Sequence, residues 1–419
     1  MSSFISRARR IYSNRNFRVL NLADMIFLLG GNLWWTFQPL YILALGASKE
    51  ELGILMMFGS AMMLIPQIPG GILADRFGRK KVILCGAMLR LLPPIIFIFA
   101  TNWVLFFPGI FINSIALMDN PAWNALLVES IPRESRGTAY STYRTLISIS
   151  GIFTTPLGGI LMDSMGIILG TRLCLMFNEA LLLIYALIIW RFIKETRNNK
   201  GEENANRRIV TVIRSLRNVP RKIGVVILAL GLCSFASGLS MSYMVIYASE
   251  VIGLTKTEWG LLGTVVSLVA TMLSAPAGLL TDRIGRRTCI LASQVLWATS
   301  VFLFINSTSF GWVLLARLLE GIGSGLGGLV AGFMGGPTWQ ALVADLATEH
   351  ELGRVMGLIG TLTVAFNTPA PFIGGYLYDT SSPMVPFQLN IMMTIVAMMI
   401  ILVSLGGTSK QGKREPVKN

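Results

Sequence analysis

The chain repeats itself. The block Pro69-Gly-Gly-Ile-Leu-Ala-Asp-Arg-Phe-Gly-Arg-Lys returns 207 positions later as Pro276-Ala-Gly-Leu-Leu-Thr-Asp-Arg-Ile-Gly-Arg-Arg. Gly46, Ser48, Lys49, Glu51 and Gly53 return in the same register as Gly253, Thr255, Lys256, Glu258 and Gly260. Further along, Pro121, Trp123, Ala125, Leu126, Glu129 and Gly137 match Pro337, Trp339, Ala341, Leu342, Asp345 and Gly353, and Gly158, Gly159 and Asp163 match Gly374, Gly375 and Asp379, now at an offset of 216. The extra residues are absorbed around the glycine-rich run Gly321 to Gly336. Matches this dense in two registers mark a duplication, so whatever the first half folds into, the second half must fold into as well.

What repeats is apolar. With 53% hydrophobic residues, 13% charged residues and a mean hydropathy of +0.65, one water-soluble globule of 419 residues is excluded, and lipid must solvate much of the surface. A spanning helix takes roughly 20 apolar residues, so this length holds about a dozen. The hydropathy predicts spans from Val19 to Leu45, Leu52 to Leu73, Val82 to Ala100, Trp103 to Val128, Tyr140 to Met162 and Leu173 to Phe192. It predicts six more from Ile223 to Val251, Glu258 to Leu280, Cys289 to Ile305, Trp312 to Val343, Val355 to Tyr378 and Val385 to Leu405. The expected fold is an all-α membrane protein of twelve transmembrane helices in two pseudo-symmetric six-helix bundles, residues 1–192 and 223–406. A basic cytoplasmic linker, 193–222, joins them, and a polar tail, 407–419, follows. Parallel six-helix repeats of this kind rock about a site at the bilayer midplane.

Lys and Arg near helix ends stay on the cytoplasmic side. Of the 35 basic residues, only Lys49, Arg172 and Lys256 fall on the opposite face when the N-terminus is placed inside, and Arg90, Arg144 and Arg317 lie within spans. The expected location is therefore multi-pass in the plasma membrane with both termini cytoplasmic. Topology and anionic headgroups account for the net charge of +14, so membrane lipids are the expected macroscopic partner, no nucleic acid is needed, and a monomer suffices. The first apolar stretch is too long for a signal-peptide core and reads as an uncleaved helix. Cys85, Cys174, Cys233 and Cys289 lie in apolar segments without CxxC spacing, and the single histidine, His350, sits in a charged loop. No metal site, cofactor, catalytic triad or nucleotide loop is indicated, and an enzyme is not expected.

The run Gly71-Ile-Leu-Ala-Asp75-Arg76-Phe-Gly78-Arg79-Lys80-Lys81, between the second and third spans, resembles the signature loop of the major facilitator superfamily, and its repeat from Gly278 to Arg287 occupies the equivalent place between the eighth and ninth. The resemblance extends over nearly the whole chain. It implies a conformational latch built from Gly71, Asp75, Arg76, Gly78, Arg79 and Glu129 in one half and Gly278, Asp282, Arg283, Gly285, Arg286 and Asp345 in the other. In such a latch the loop aspartates face helix N-termini near Val355 and Tyr140, while Arg79 pairs with Glu129 and Arg286 with Asp345. Gly151 to Gly159 on the fifth span looks like a degraded antiporter signature, and Arg317-Leu-Leu-Glu320-Gly321-Ile-Gly323 resembles the arginine motif that drug exporters carry on the fourth span. Here that motif stands on the tenth, a departure from the drug/proton antiporter pattern.

Ionisable residues within spans are costly and need a partner, water or a function. Arg90 and Glu179 are expected to form a structural ion pair between the third and sixth spans. Asp24, Asp119 and Arg144 lie at similar depth on the first, fourth and fifth, so two carboxylates are expected to share one guanidinium. A carboxylate left unpaired in a dry cavity is the group that carries a proton. Asp119 is the first choice for that role, with Asp24, Glu179 and Glu320 as further candidates. In the superfamily the first, fourth, seventh and tenth spans line the cavity, which implies Asn32, Trp35, Gln38, Asn113, Tyr243 and Arg317 as cavity residues; Arg144 on the fifth span and Asn367 on the eleventh are further candidates. The reading that follows is a secondary active transporter of a small organic solute working by alternating access, by proton-coupled export of amphipathic or cationic compounds. A proton symporter or uniporter for a sugar, organic acid or other metabolite stays open, as does a lipid translocase or non-transporting receptor on the same fold.

Overall fold

The computed structural model describes residues 12, 14–131, 136–195, 220–327, 337–346 and 352–404. All regular structure among them is helical. Most of the 193–222 linker, His350 and the 407–419 tail lie outside the described residues. Among the described residues, eight helical stretches are long and apolar enough to cross a membrane: Arg79–Ile98, Trp103–Glu129, Ile167–Phe192, Arg221–Glu250, Lys256–Ser274, Arg286–Ile305, Val355–Thr380 and Val385–Ser404.

The other four expected spans differ for local reasons. The first is divided into Arg15–Gly31 and Gln38–Ala44, and the second into Lys49–Met62 and Gln67–Phe77. Proline lacks the N–H of a helix interior, so it sits where a new helix begins: Pro39 opens the second piece of span 1, and Pro66 precedes the second piece of span 2. The fifth is a single helix, Arg136–Met165, that carries Pro156 inside it, and the tenth is described as Phe310–Gly325 and Pro337–Leu346 on either side of residues that are not described.

The duplication is visible in the helix ends. Ser48 accepts from the Glu51 amide at 3.1 Å while the Glu51 carboxylate accepts from the Ser48 amide at 2.8 Å, and Thr255 with Glu258 makes the same reciprocal cap at 3.1 and 2.8 Å. Gly78 and Gly285 stand between consecutive helices at φ 92° and 90°. A side chain at that φ/ψ is strained by ~1–3 kcal/mol. Gly78→Ala and Gly285→Ala are therefore each expected to lower the melting temperature of the purified protein, where alanine at the neighbouring Arg79 or Arg286 tests loss of charge rather than backbone strain.

The chain divides into two compact units, residues 1–205 with 242–267, and 206–241 with 268–419. The end of the seventh span and the start of the eighth group with the first unit. Each unit has its own apolar core. That of the first includes Phe17, Leu20, Ile83, Leu126 and Tyr185, and that of the second Val226, Leu230, Ile290, Trp339 and Ile359. Small residues bring helices close, as lipid-embedded packing requires: a Cβ on Gly231 would come within 2.7 Å of the Phe366 ring.

Candidate functional site: a buried cluster of three charges in the first unit

Three spans contribute charges, and two of these stand where a helix is interrupted. Arg90 ends the helix Arg79–Leu89, just before the Pro93-Pro94 step that restarts the third span at Leu92–Ile98. Asp119 closes the tightened turn Leu117–Asp119, before Pro121 and the helix Asn120–Glu129. Their side chains meet in a bidentate pair, with Arg90 Nη2 donating to Asp119 Oδ1 at 2.8 Å and Nη1 to Oδ2. Arg90 is 8% and Asp119 1% exposed, so the pair is buried within the protein. Gly86 lies one turn before Arg90 on the same helix, and a Cβ there would meet the Asp119 carboxylate carbon at 2.6 Å. The guanidinium also lies over the Phe27 ring, 5.6 Å from its centroid, a favourable use of a desolvated cation.

Asp24, half-buried on the helix Arg15–Gly31, completes the cluster. Its Oδ2 accepts a hydrogen bond from the Tyr143 hydroxyl, and Trp123 Nε1 donates to that hydroxyl at 3.5 Å. Tyr185 packs against Trp123 and Phe27, at ring separations of 6.2 and 5.6 Å, and closes the aromatic wall. Arg90 neutralises one carboxylate, Asp119, and among the described residues the second carboxylate accepts from the neutral Tyr143 hydroxyl.

The expected pair of Arg90 with Glu179 does not form: the interruption of the third span turns Arg90 toward the fourth, where Asp119 supplies both oxygens. Glu179, half-buried on Ile167–Phe192, keeps its Oε2 buried without a hydrogen-bond partner. The Arg144 side chain lies outside the described residues, so its expected share in the two carboxylates does too. In the second unit Arg317 and Glu320 form a buried ion pair within one helix, at i and i+3. Asn367 Nδ2 donates to Ser234 O at 2.7 Å and so ties two spans of that unit together. Tyr243 is fully buried, its hydroxyl donating to Lys49 O at 3.3 Å. Of the two adjacent tryptophans, Trp34 is buried against Phe97 and Trp35 is the exposed one, packed edge-on to Phe27. Asn32 and Gln38 are half-buried and Asn113 is exposed.

In the signature loops Arg79 pairs with Glu129 and Arg286 with Asp345, each within its own half. Arg286 also donates to Ala341 O. The Asp282 side chain lies outside the described residues. A partner not visible from spacing is Glu195, which accepts from the amides of Arg79 at 3.2 Å and Lys80 at 3.0 Å and so caps the helix after the first loop. Tyr143, Trp123 and Tyr185 were equally hidden as site residues, since an aromatic within a span reads as packing. The repeat held one usable signal: the positions matching Asp24, Arg90 and Asp119 are Gly231, Trp297 and Gly335, so the duplication keeps the helices and drops the charges. In the second unit Trp297 Nε1 instead donates to Asn390 Oδ1 at 3.2 Å, and Asn390 Nδ2 donates to Ser240 Oγ at 2.7 Å.

An uncharacterised MFS-type transporter of Methanocaldococcus jannaschii is 22% identical over 356 residues, covering 83% of this chain and 87% of the relative. The quinolone resistance protein NorA of Staphylococcus aureus is 25% identical over 173 residues, which span 41% of this chain and 42% of NorA. Among solved structures, the nucleoside transporter NupG superposes with a TM-score of 0.71 at 13% identity, over 93% of this chain and 98% of that one. A D-xylose-proton symporter does so with 0.68 at 16%, over 92% and 96%. These likenesses, at such identities, show a shared fold. The model of the Major Facilitator Superfamily matches residues 20–255 and 226–418, and the chain is an integral membrane transporter belonging to that superfamily.

Proposed function

We propose that the protein is a proton-coupled secondary transporter that exports amphipathic or cationic organic compounds by alternating access, and that Asp24 is the group that takes up and releases the proton. The observation that carries this reading is the difference between the two carboxylates: Asp119 takes both nitrogens of Arg90, while among the described residues Asp24 accepts from a tyrosine hydroxyl that serves it protonated or ionised. A proton on Asp24 leaves the cluster neutral. Its loss leaves one negative charge beside an aromatic wall of Phe27, Trp123 and Tyr185, a setting that attracts a lipophilic cation. The partial relation to NorA, named for quinolone resistance, supports export, and the two signature loops act as the latch that closes the cytoplasmic face.

A panel of radiolabelled or fluorescent solutes in proteoliposomes with imposed pH and voltage gradients tests this reading. Lipophilic cations such as ethidium are expected to move against an imposed pH gradient, and sugars and organic acids are not. Gradient-driven movement of a neutral sugar with no movement of any cation contradicts the export reading.

A further inference from the structure

On the face opposite the signature loops, within the first unit, the helix Lys256–Ile284 begins against a carboxylate from another span. Asp163, near the end of the helix Arg136–Met165, accepts from the amides of Lys256 at 3.1 Å and Thr257 at 2.8 Å and from Thr257 Oγ1 at 2.7 Å, and Lys256 Nζ lies 3.8 Å away. The first N–H groups of a helix have no partner within it, and its positive end favours an anion. The capping box of Thr255 and Glu258 serves the first turn from inside, and Asp163 serves the two amides that remain. The backbones touch here: a Cβ on Gly159 would stand 2.6 Å from the Lys256 carbonyl carbon, and one on Gly260 2.8 Å from Pro156 Cα. Thr264 Oγ1 donates to Ile152 O at 2.6 Å, one turn deeper, and Lys49 pairs with Glu250 at 3.3 Å across the same face.

We propose that Asp163 is a positioning residue for transport: its charged carboxylate holds the start of the eighth span on the fifth, and so sets how often this face opens. The inference rests on the alternating-access reading above. Of the charged groups around it, Lys256 is its ion partner, Glu258 is committed to Thr255, Lys49 and Glu250 to each other, and Arg172, on the adjoining helix Ile167–Phe192, donates to Ala100 O. Partial burial works against the charge on Asp163, but the Thr257 hydroxyl and amide, then Lys256, outweigh it and hold the carboxyl below its ordinary 3.8. The sign follows. The docked form is favoured above the ordinary aspartate value and loses that preference as pH falls through the lowered one.

Pulsed electron–electron distance measurement decides it, on the full chain in phosphatidylethanolamine–phosphatidylglycerol nanodiscs. Cys85, Cys174, Cys233 and Cys289 are replaced by alanine, and spin labels are placed at Leu169→Cys and Leu261→Cys, both exposed. At pH 7 the otherwise unchanged protein is expected to show a predominant short-distance population. Asp163→Ala is expected to raise the separated population about tenfold, and Thr257→Val by less. The same labels in the protein that retains Asp163 are expected to separate only below the ordinary aspartate range. Asp163→Asn, neutral and of the same shape, decides the matter if the alanine variant does not fold. A distance distribution unmoved by loss of the charge overturns the proposal. Ethidium transport on the same samples keeps the two readings apart: unmoved distances with intact transport overturn the Asp163 role alone, and shifted distances in a protein that moves no cation overturn the export reading alone.

Discussion

Asp24→Asn is expected to abolish transport driven by a pH gradient while leaving exchange of substrate across an equilibrated membrane. Asparagine keeps an oxygen to accept the Tyr143 hydroxyl, so the local geometry survives. It has no exchangeable charge, so the step that ties solute movement to the proton is lost. A loss of at least about tenfold in gradient-driven ethidium flux is expected, against less than about a twofold change in counterflow. Proteoliposomes prepared from one batch of protein and assayed both ways make the comparison. Gradient-driven flux that persists in the asparagine variant assigns the proton to another group, with Glu179 next in line as the buried carboxylate whose Oε2 has no partner.

The second large effect is on stability. Arg90→Ala strands Asp119 in a site that is 1% exposed, and Asp119→Ala strands the guanidinium. Removing one member of a buried ion pair costs roughly 3–5 kcal/mol, because the charge left behind has lost its compensation. Replacing both with apolar residues of similar size, Arg90→Met with Asp119→Leu, removes the uncompensated charge, and most of that loss is expected to return. Thermal unfolding in detergent, followed by tryptophan fluorescence, checks the order: each single variant well below the parent, the double variant between them and the parent. Single variants within about one degree of the parent contradict a buried pair that carries this much of the first unit's stability. The double variant is also expected to lack gradient-driven transport, since Asp24 has then lost the neighbouring cation.

Much of the architecture was legible in the chain, for a physical reason. Lipid forces backbone polar groups into helices, so hydropathy and length place helices directly, and a duplication states each half twice. The loop ion pairs of Arg79 with Glu129 and Arg286 with Asp345 were legible through the family resemblance and the repeat. The partner of Arg90 was not. Pairing inside a bundle depends on which way a helix turns at its interruptions, and the steps at Pro93 and Pro121 that bring Arg90 onto Asp119 leave no trace in hydropathy. Depth alone favours Asp119 as proton carrier; the geometry gives that residue a full bidentate partner, and the role is proposed for Asp24. Tyr143 went unseen beside Arg144, and Glu195 and Asp163 act on helix ends 115 and 94 residues away.

One measurement bears on the core of the account. Ethidium is added outside proteoliposomes that hold a pH-sensitive dye and no imposed gradient, with the membrane potential clamped. Countertransport through the Asp24 cluster predicts that dye movement in one direction carries protons in the other, so the internal pH shifts in step with ethidium flux and stays flat in Asp24→Asn. Ethidium that crosses with the internal pH unchanged in the unaltered protein contradicts it.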